Sequence, residues 1–185
     1  MSTQLTWYAA RASGIVAWAL AAGSVVWGLA LSTRALGRRP RPPWLFDLHR
    51  FLGGAALIFT CIHVGSILLD TYVHFSVANV LVPLTGSWHP AAVAWGIVSM
   101  YVLTAVELTS LARRRISTRL WRRVHVASFA LFVTSTVHAL TAGTDRHSGA
   151  FVLSVLVVCV VVAALTAFRA GGYGRARRTR ALVPA

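Results

Sequence analysis

Residues 45–69 read LFDLHRFLGGAALIFTCIHVGSILL. This stretch carries Asp47, His49, Arg50 and His63 in surroundings that are otherwise apolar or small. About 20 mostly apolar residues suffice for a helix to cross a bilayer, so the stretch is long enough to span. Working outward, four further runs of the same kind occupy roughly 13–33, 90–112, 121–141 and 149–169. The expected fold is an all-α integral membrane bundle of five transmembrane helices. With 57% hydrophobic and only 12% charged residues, the chain is too apolar for a soluble domain of this size.

The net charge of +14 would suit a nucleic-acid partner if it were spread over one face. It is not. Every basic residue is an arginine, and the arginines fall in short clusters between the apolar runs, which argues against nucleic acid and for a lipid bilayer. Arg34, Arg38, Arg39, Arg41 and Arg50 lie at the first connection, and Arg113, Arg114, Arg115, Arg119, Arg122 and Arg123 at the third. Arg169, Arg175, Arg177, Arg178 and Arg180 follow the last run, and only Arg11 and Arg146 fall on the other side. The positive-inside rule predicts an N-out, C-in arrangement in the cytoplasmic membrane. The first run has its charges after the apolar stretch, the reverse of a signal peptide, so it reads as a retained helix. Residues 1–170 are expected to form one bundle and 171–185 a basic cytoplasmic tail, disordered beside anionic headgroups.

The segment between Thr71 and His89 holds an apolar run, Phe75–Leu84, interrupted by Pro83 and too short to span; it reads as an interfacial or re-entrant cover on the outer side. Trp7, Tyr8 and Trp88 suit the outer aromatic belt, and Trp44, Trp121 and Tyr173 the inner one. Cys61 and Cys159 are expected to be buried small hydrophobes without a disulfide.

Four of the seven histidines lie within spans, where ionisable groups are costly and usually functional. His49 and His63 are 14 apart on the second span, and His125 and His138 are 13 apart on the fourth. Each pair is therefore separated by about 20 Å along its helix. The two spans run in the same direction, so His49 matches His125 in depth near the inner face, and His63 matches His138 in the outer half. Haem iron accepts two axial ligands, and facing imidazoles on two helices are one way to hold it. Fourteen residues return to within about 40° of one helix face, whereas thirteen miss by about 140°. The fourth span must wind more tightly somewhere, or an imidazole must approach from a flank; Thr134-Ser135-Thr136 is the expected place for a distortion.

These segments resemble the ferric reductase-like transmembrane family, which includes the membrane domains of ferric reductases and NADPH oxidases and the haem subunit of a bacterial methionine sulfoxide reductase system. The resemblance spans about 44–145 and rests on LHRFLGGAALIFTCIHV, VLVPL, HPAAVAWGIVSMYVLTAVELTS and LWRRVHVASFALFVTSTVHALTAGTD, with the 14 and 13 spacings as its specific part. It implies two b-type haems, one held by His49 with His125 and one by His63 with His138. It implies electron transfer from the cytoplasmic side to an extracytoplasmic acceptor, as an oxidoreductase component. Many members have six spans and this chain shows five. No flavin or nicotinamide motif is visible, so the expected donor is a separate flavoprotein reductase or a membrane quinol. A quinol-linked cytochrome b subunit serving a periplasmic partner, and a haem-free scaffold or carrier, stay open as alternatives.

Arg50, Arg122 and Arg123 flank the inner ligand positions and are candidates to pair with haem propionates, or ordinary boundary arginines. Phe59, Phe129 and Phe132 lie between the two levels, as spacers or as core. Glu107, deep in the third span, is expected to pair with Arg113 or a neighbour, the alternative being a proton or quinone site. His74, His89 and His147 gather on the outer side, either as independent surface residues or, with Asp70 and Asp145, as a metal cluster.

Overall fold

Five long helical segments, each apolar enough to cross a membrane, make up the molecule. The computed structural model describes residues 3–33, 42–71 and 73–181, with side chains described for 4–33, 42–71 and 73–171. Helix α1 is Thr3–Thr33, α2 is Trp44–Leu68 and α3 is the single short turn Val77–Leu81. Then follow α4 (Pro90–Leu111), α5 (Thr118–Val126), α6 (Ser128–Ala142), a 3₁₀ turn at Thr144–His147 and α7 (Gly149–Ala181). No strand occurs among the described residues. The five spans are α1, α2, α4, the α5–α6 pair and the first part of α7.

Local chemistry sets the helix ends. Pro42 and Pro43 lead into α2, where a missing N–H costs nothing, and Asp47 in the first turn suits the helix dipole. Pro90 opens α4 in the same way. Ser117 caps α5, its hydroxyl accepting from the Leu120 N–H at 3.3 Å. Ser76 and Asn79 form a reciprocal capping box on α3. That helix is five residues long, so the segment between α2 and α4 does not span; it is held to α4 by the Tyr101 hydroxyl donating to the Leu81 carbonyl.

Side-chain ties fix the bundle's two ends. At one, the Trp27 indole donates to the Leu45 carbonyl at 2.9 Å and Ser24 meets His49 at 3.2 Å. At the other, the Thr6 hydroxyl donates to Asp70 at 3.0 Å and Arg11 is ion-paired with Asp145. Helix α1 is thereby antiparallel to α2. The first end is the arginine-rich one, with Arg50, Arg113–Arg115, Arg119, Arg122 and Arg123. Arg34, Arg38, Arg39 and Arg41 lie outside the described residues, as do the side chains of Tyr173 and of Arg175, Arg177, Arg178 and Arg180.

Two apolar layers hold the helices together. Trp18, Ala22, Val25 and Leu29 of α1 pack on Phe132 of α6 and on Val155 and Val162 of α7. Ala21, Ala56, Leu103 and Leu131 bring α1, α2, α4 and α6 to one point at mid-bundle, where Ala56 is completely buried. Within the first layer the Trp18 indole donates to the Thr136 hydroxyl at 3.0 Å, satisfying a polar group that lipid would leave bare. Outward-facing positions carry Phe51, Ile58, Ile62, Leu153, Leu156 and Val160, apolar surface that suits acyl chains.

Three expectations need correction. The fourth span breaks at Ala127 rather than at Thr134–Thr136: the Ala127 N–H bonds the Val124 carbonyl, three residues back, and α6 then runs unbroken. Thr134 and Ser135 bond back to the preceding turn, but those bonds fit within a continuous helix. Cys61 is exposed rather than buried, because a small thiol facing lipid carries little penalty; Cys159 is half-buried and both are free. Lastly, α7 continues to Ala181, past the apolar part that ends at Gly171. The sequence there, GGYGRARRTRA, sets Gly171, Gly172 and Gly174, which disfavour a helix, beside Ala and Arg, which favour one.

Candidate functional site

The four span histidines meet in two pairs. The His49 and His125 ring centres are 5.9 Å apart, and those of His63 and His138 6.3 Å apart. The rings of each pair are close to perpendicular, at 79° and 77°. Between the two levels lies the mid-bundle layer of Ala21, Ala56, Leu103 and Leu131. Its members fall halfway between the histidines in sequence, Ala56 on α2 and Leu131 on α6. The break at Ala127 explains how 13 residues serve where 14 would be natural. One tight turn of about 120° per residue in place of about 100° recovers roughly 60° of the deficit. An approach of the rings from the helix flanks supplies the rest.

Glycines seat three of the four rings. A methyl group on Gly14 would lie 2.8 Å from His63 Nδ1, one on Gly28 3.0 Å from His49 Cε1, and one on Gly96 2.7 Å from His138 Cε1. Each of these three imidazoles thus lies against bare backbone of a neighbouring helix. Gly14 and Gly28 are 14 residues apart on α1, the same interval as His49 and His63 on the antiparallel α2. That matched interval is a signal present in the sequence, and the sequence reading passed over it.

Hydrogen bonds then fix the rings. Nδ1 of His63 donates to the Ala10 carbonyl at 2.7 Å, and Nδ1 of His138 to the Ala92 carbonyl at 2.8 Å. A carbonyl only accepts, so Nδ1 holds the proton and the lone pair of a neutral ring is at Nε2. His49 Nδ1 is held by the Ser24 hydroxyl at 3.2 Å. His125 differs: its Nδ1 is buried without a partner, and its ring stacks on Trp121 at 4.9 Å and 21°. The Arg113 guanidinium lies 4.4 Å over the same Trp121 ring. The orphaned His125 nitrogen and the equally unpartnered Trp121 indole N–H make this level the less complete of the two.

A cavity of about 410 Å3 adjoins the His63–His138 pair. Its walls are largely apolar, with Trp18, Leu103 and Leu131 among them, and its lining towards the bundle end away from the arginines includes Arg11, Asp70 and Asp145. At that rim the Arg11 guanidinium holds the Asp145 carboxyl below the usual carboxylate range, chiefly through their direct hydrogen bond.

Other expected residues stand apart. Arg50, Arg122 and Arg123 are exposed at the arginine-rich end, and Arg50 has only a loose contact with Asp47 at 3.8 Å. Arg113 sits over Trp121 and not beside Glu107, so the expected ion pair does not form; the carboxyl of Glu107 turns instead onto Gly53 of α2. Phe132 and Phe129 belong to the layer shared with α1 and α7, which makes them core, while Phe59 is half-buried. His74, His89 and His147 are exposed; His89 packs on Trp88 and His147 accepts from Arg146 at 3.1 Å. Among the described residues no three His, Cys, Asp or Glu side chains converge on a point that would hold a metal ion.

The fold and these pairs define a polytopic helical membrane protein with histidines facing each other at two depths. The chain belongs to the family described as ferric reductase like transmembrane component, whose model matches residues 13–136. Membership points to transmembrane electron transfer. The match takes in most of α1, all of α2 and α4 and most of the α5–α6 span, and leaves α7 outside. Comparison with curated proteins and with solved structures gave no match.

Proposed function

We propose that the chain is a transmembrane electron-transfer module that holds two b-type haems, one between His49 and His125 and one between His63 and His138. The observation that carries this reading is the pair of ring separations, 5.9 and 6.3 Å, at two stacked levels. A metal midway would lie about 3 Å from each ring centre, which is a bond of about 2 Å plus about 1.1 Å from nitrogen to ring centre. The protonation pattern supports it as well. His63 and His138 donate their Nδ1 protons to backbone carbonyls, the outer arrangement usual for metal-binding imidazoles, and so turn Nε2 to the ligand. The haem iron supplies a one-electron couple when bound, and two imidazoles leave no open position for oxygen.

The chain's own residues do the rest. Gly14, Gly28 and Gly96 let the rings sit at fixed depth and rotation. Largely apolar walls line the level of His63 and His138. Ala21, Ala56, Leu103 and Leu131 hold the levels apart while closing the path to ions. Arg50, Arg122 and Arg123 are exposed and without a strong partner, so each is able to turn onto a haem carboxylate. The arginine-rich end faces the cytoplasm by the positive-inside rule. The donor there is a separate flavoprotein or a quinol, and the acceptor is extracytoplasmic.

Haem content of the purified protein tests the proposal. Two haems per chain are expected, falling towards one in His63→Ala and in His49→Ala. Unchanged content in both variants would mean that other residues ligate, and a colourless protein from haem-supplied cells would refute haem binding. Reduction by a quinol analogue but not by a flavin reductase would assign the donor.

A further inference from the structure

Three of the chain's four acids lie beside a polar partner. Asp47 is exposed near Arg50, Asp70 accepts from Thr6 and Asp145 is paired with Arg11. Glu107 is the exception. It is half-buried at the α2–α4 contact, and among the described residues it makes no hydrogen bond or ion pair. Its carboxyl group rests on Gly53, a buried position where even a methyl group would overlap it. Gly53 is one turn from His49 on the same side of α2. The carboxyl therefore lies one turn deeper in the bundle than the His49–His125 pair.

A carboxylate inside a span with no partner among the described residues is costly and is retained where it has work to do. At this end of the bundle the titratable groups among the described residues are Asp47, His49 and Arg50 of α2, Arg113–Arg115 after α4, and Arg119, Arg122, Arg123 and His125 of α5; Cys61 and His63 of α2 and His138 of α6 lie towards the other end. None of these described arginines engages it, and Arg113 is committed to Trp121. The counter-charge within reach is the proposed haem itself. Ferric iron in a dianionic macrocycle leaves one net positive charge; ferrous iron leaves none. In a low-dielectric interior the carboxylate senses that loss strongly.

We propose that Glu107 is a redox-linked proton site, binding one proton when the His49–His125 centre gains one electron. This rests on the haem reading above. One electron from a one-electron reductant at the arginine-rich face enters the iron. One proton from water at the same face forms an O–H bond on the Glu107 carboxylate, and reoxidation returns both. The route is short, since Glu107 is only four residues from the end of α4 at Leu111, a rise of about 6 Å. Charge on this level then changes little with redox state, which lets an electron enter a part of the bundle that water cannot reorganise around.

The test uses the purified haem-loaded protein. Wild type should show one of its two haem couples shifting tenfold per pH unit across neutral pH, about 59 mV for a single electron, and the other not shifting. In Glu107→Gln both couples should be independent of pH with haem content unchanged, and Glu107→Asp should keep the dependence. Glu107 is the only glutamate in the sequence, so 13C-glutamate labelling reports on it in the unaltered chain. A protonated-carboxyl infrared band should appear on reduction and move with the label. Haem-bearing protein whose couples both ignore pH, or whose labelled band does not change on reduction, overturns the proton site and leaves haem binding standing. A dependence that survives in Glu107→Gln overturns it equally. Protein without haem overturns both readings.

Discussion

Gly96→Ala puts the seating of the outer pair to a quantitative test. The added methyl group would lie 2.7 Å from Cε1 and 2.8 Å from Nδ1 of His138. Ordinary contact begins at about 3.5 Å, so ring or helix must retreat by about 0.8 Å. The ring is not free to do so, because its Nδ1 is held at 2.8 Å by the Ala92 carbonyl on the same helix as Gly96. A retreat of that size takes the bond to about 3.6 Å, beyond useful geometry, at a net cost of about 1 kcal/mol. Moving the helix instead incurs an overpacking penalty of about 1–3 kcal/mol. Either way the imidazole leaves its position opposite His63, and loss of such an orienting contact lowers metal affinity about 10- to 100-fold. Haem content after gel filtration in detergent should fall from two towards one, with the His49–His125 haem retained. Gly23→Ala is the control, since a methyl group there meets nothing within 4 Å. Two firmly held haems with an unchanged spectrum in Gly96→Ala would refute the seating argument.

Three further outcomes follow from the same geometry. Trp121→Leu removes the ring stacked on His125 and the platform under Arg113, at about 1 kcal/mol; affinity for the inner haem should drop about fivefold while Trp121→Phe largely preserves it, and redox titration separates the two levels. Thr136→Val strips the acceptor from the buried Trp18 indole and should cost about 1–3 kcal/mol in unfolding from detergent, with no loss if lipid or water replaces the bond. The Arg11–Asp145 pair lowers the Asp145 pKa in the folded protein. Its contribution to stability is therefore complete above the unfolded carboxylate value of about 3.9 and is lost as pH falls through the lower folded value. Melting temperature should decline over that acid range in wild type, whereas Asp145→Asn should start lower at neutral pH and lack that part of the decline.

Much of this protein is written in its chain as local pattern. Span lengths follow from runs of apolar residues, because a bilayer of fixed thickness asks for a fixed helix length. The depth match of His49 with His125 and of His63 with His138 follows from constant rise per residue. What local pattern leaves open is rotation and partnership. Thirteen residues between His125 and His138 announce that the helix must tighten, but the hydroxyl-rich run before His138 was the wrong place for it. Bonds back to the preceding turn fit inside a regular helix, and the break came at Ala127, where the arginine-rich amphipathic α5 gives way to the apolar α6. Gly14, Gly28 and Gly96 look like any glycine in a span until a ring from another helix is set against them. A missing Cβ has meaning only once something occupies its place. Arg113 was assigned to Glu107 by charge alone, yet it meets Trp121, and the acid is left on Gly53. Sequence by itself determined that five helices cross and that four histidines share two depths. Only the tertiary structure decided which backbone each imidazole leans on, which of its nitrogens is free, and which charge goes unpaired, because those depend on distances between helices that no single helix contains.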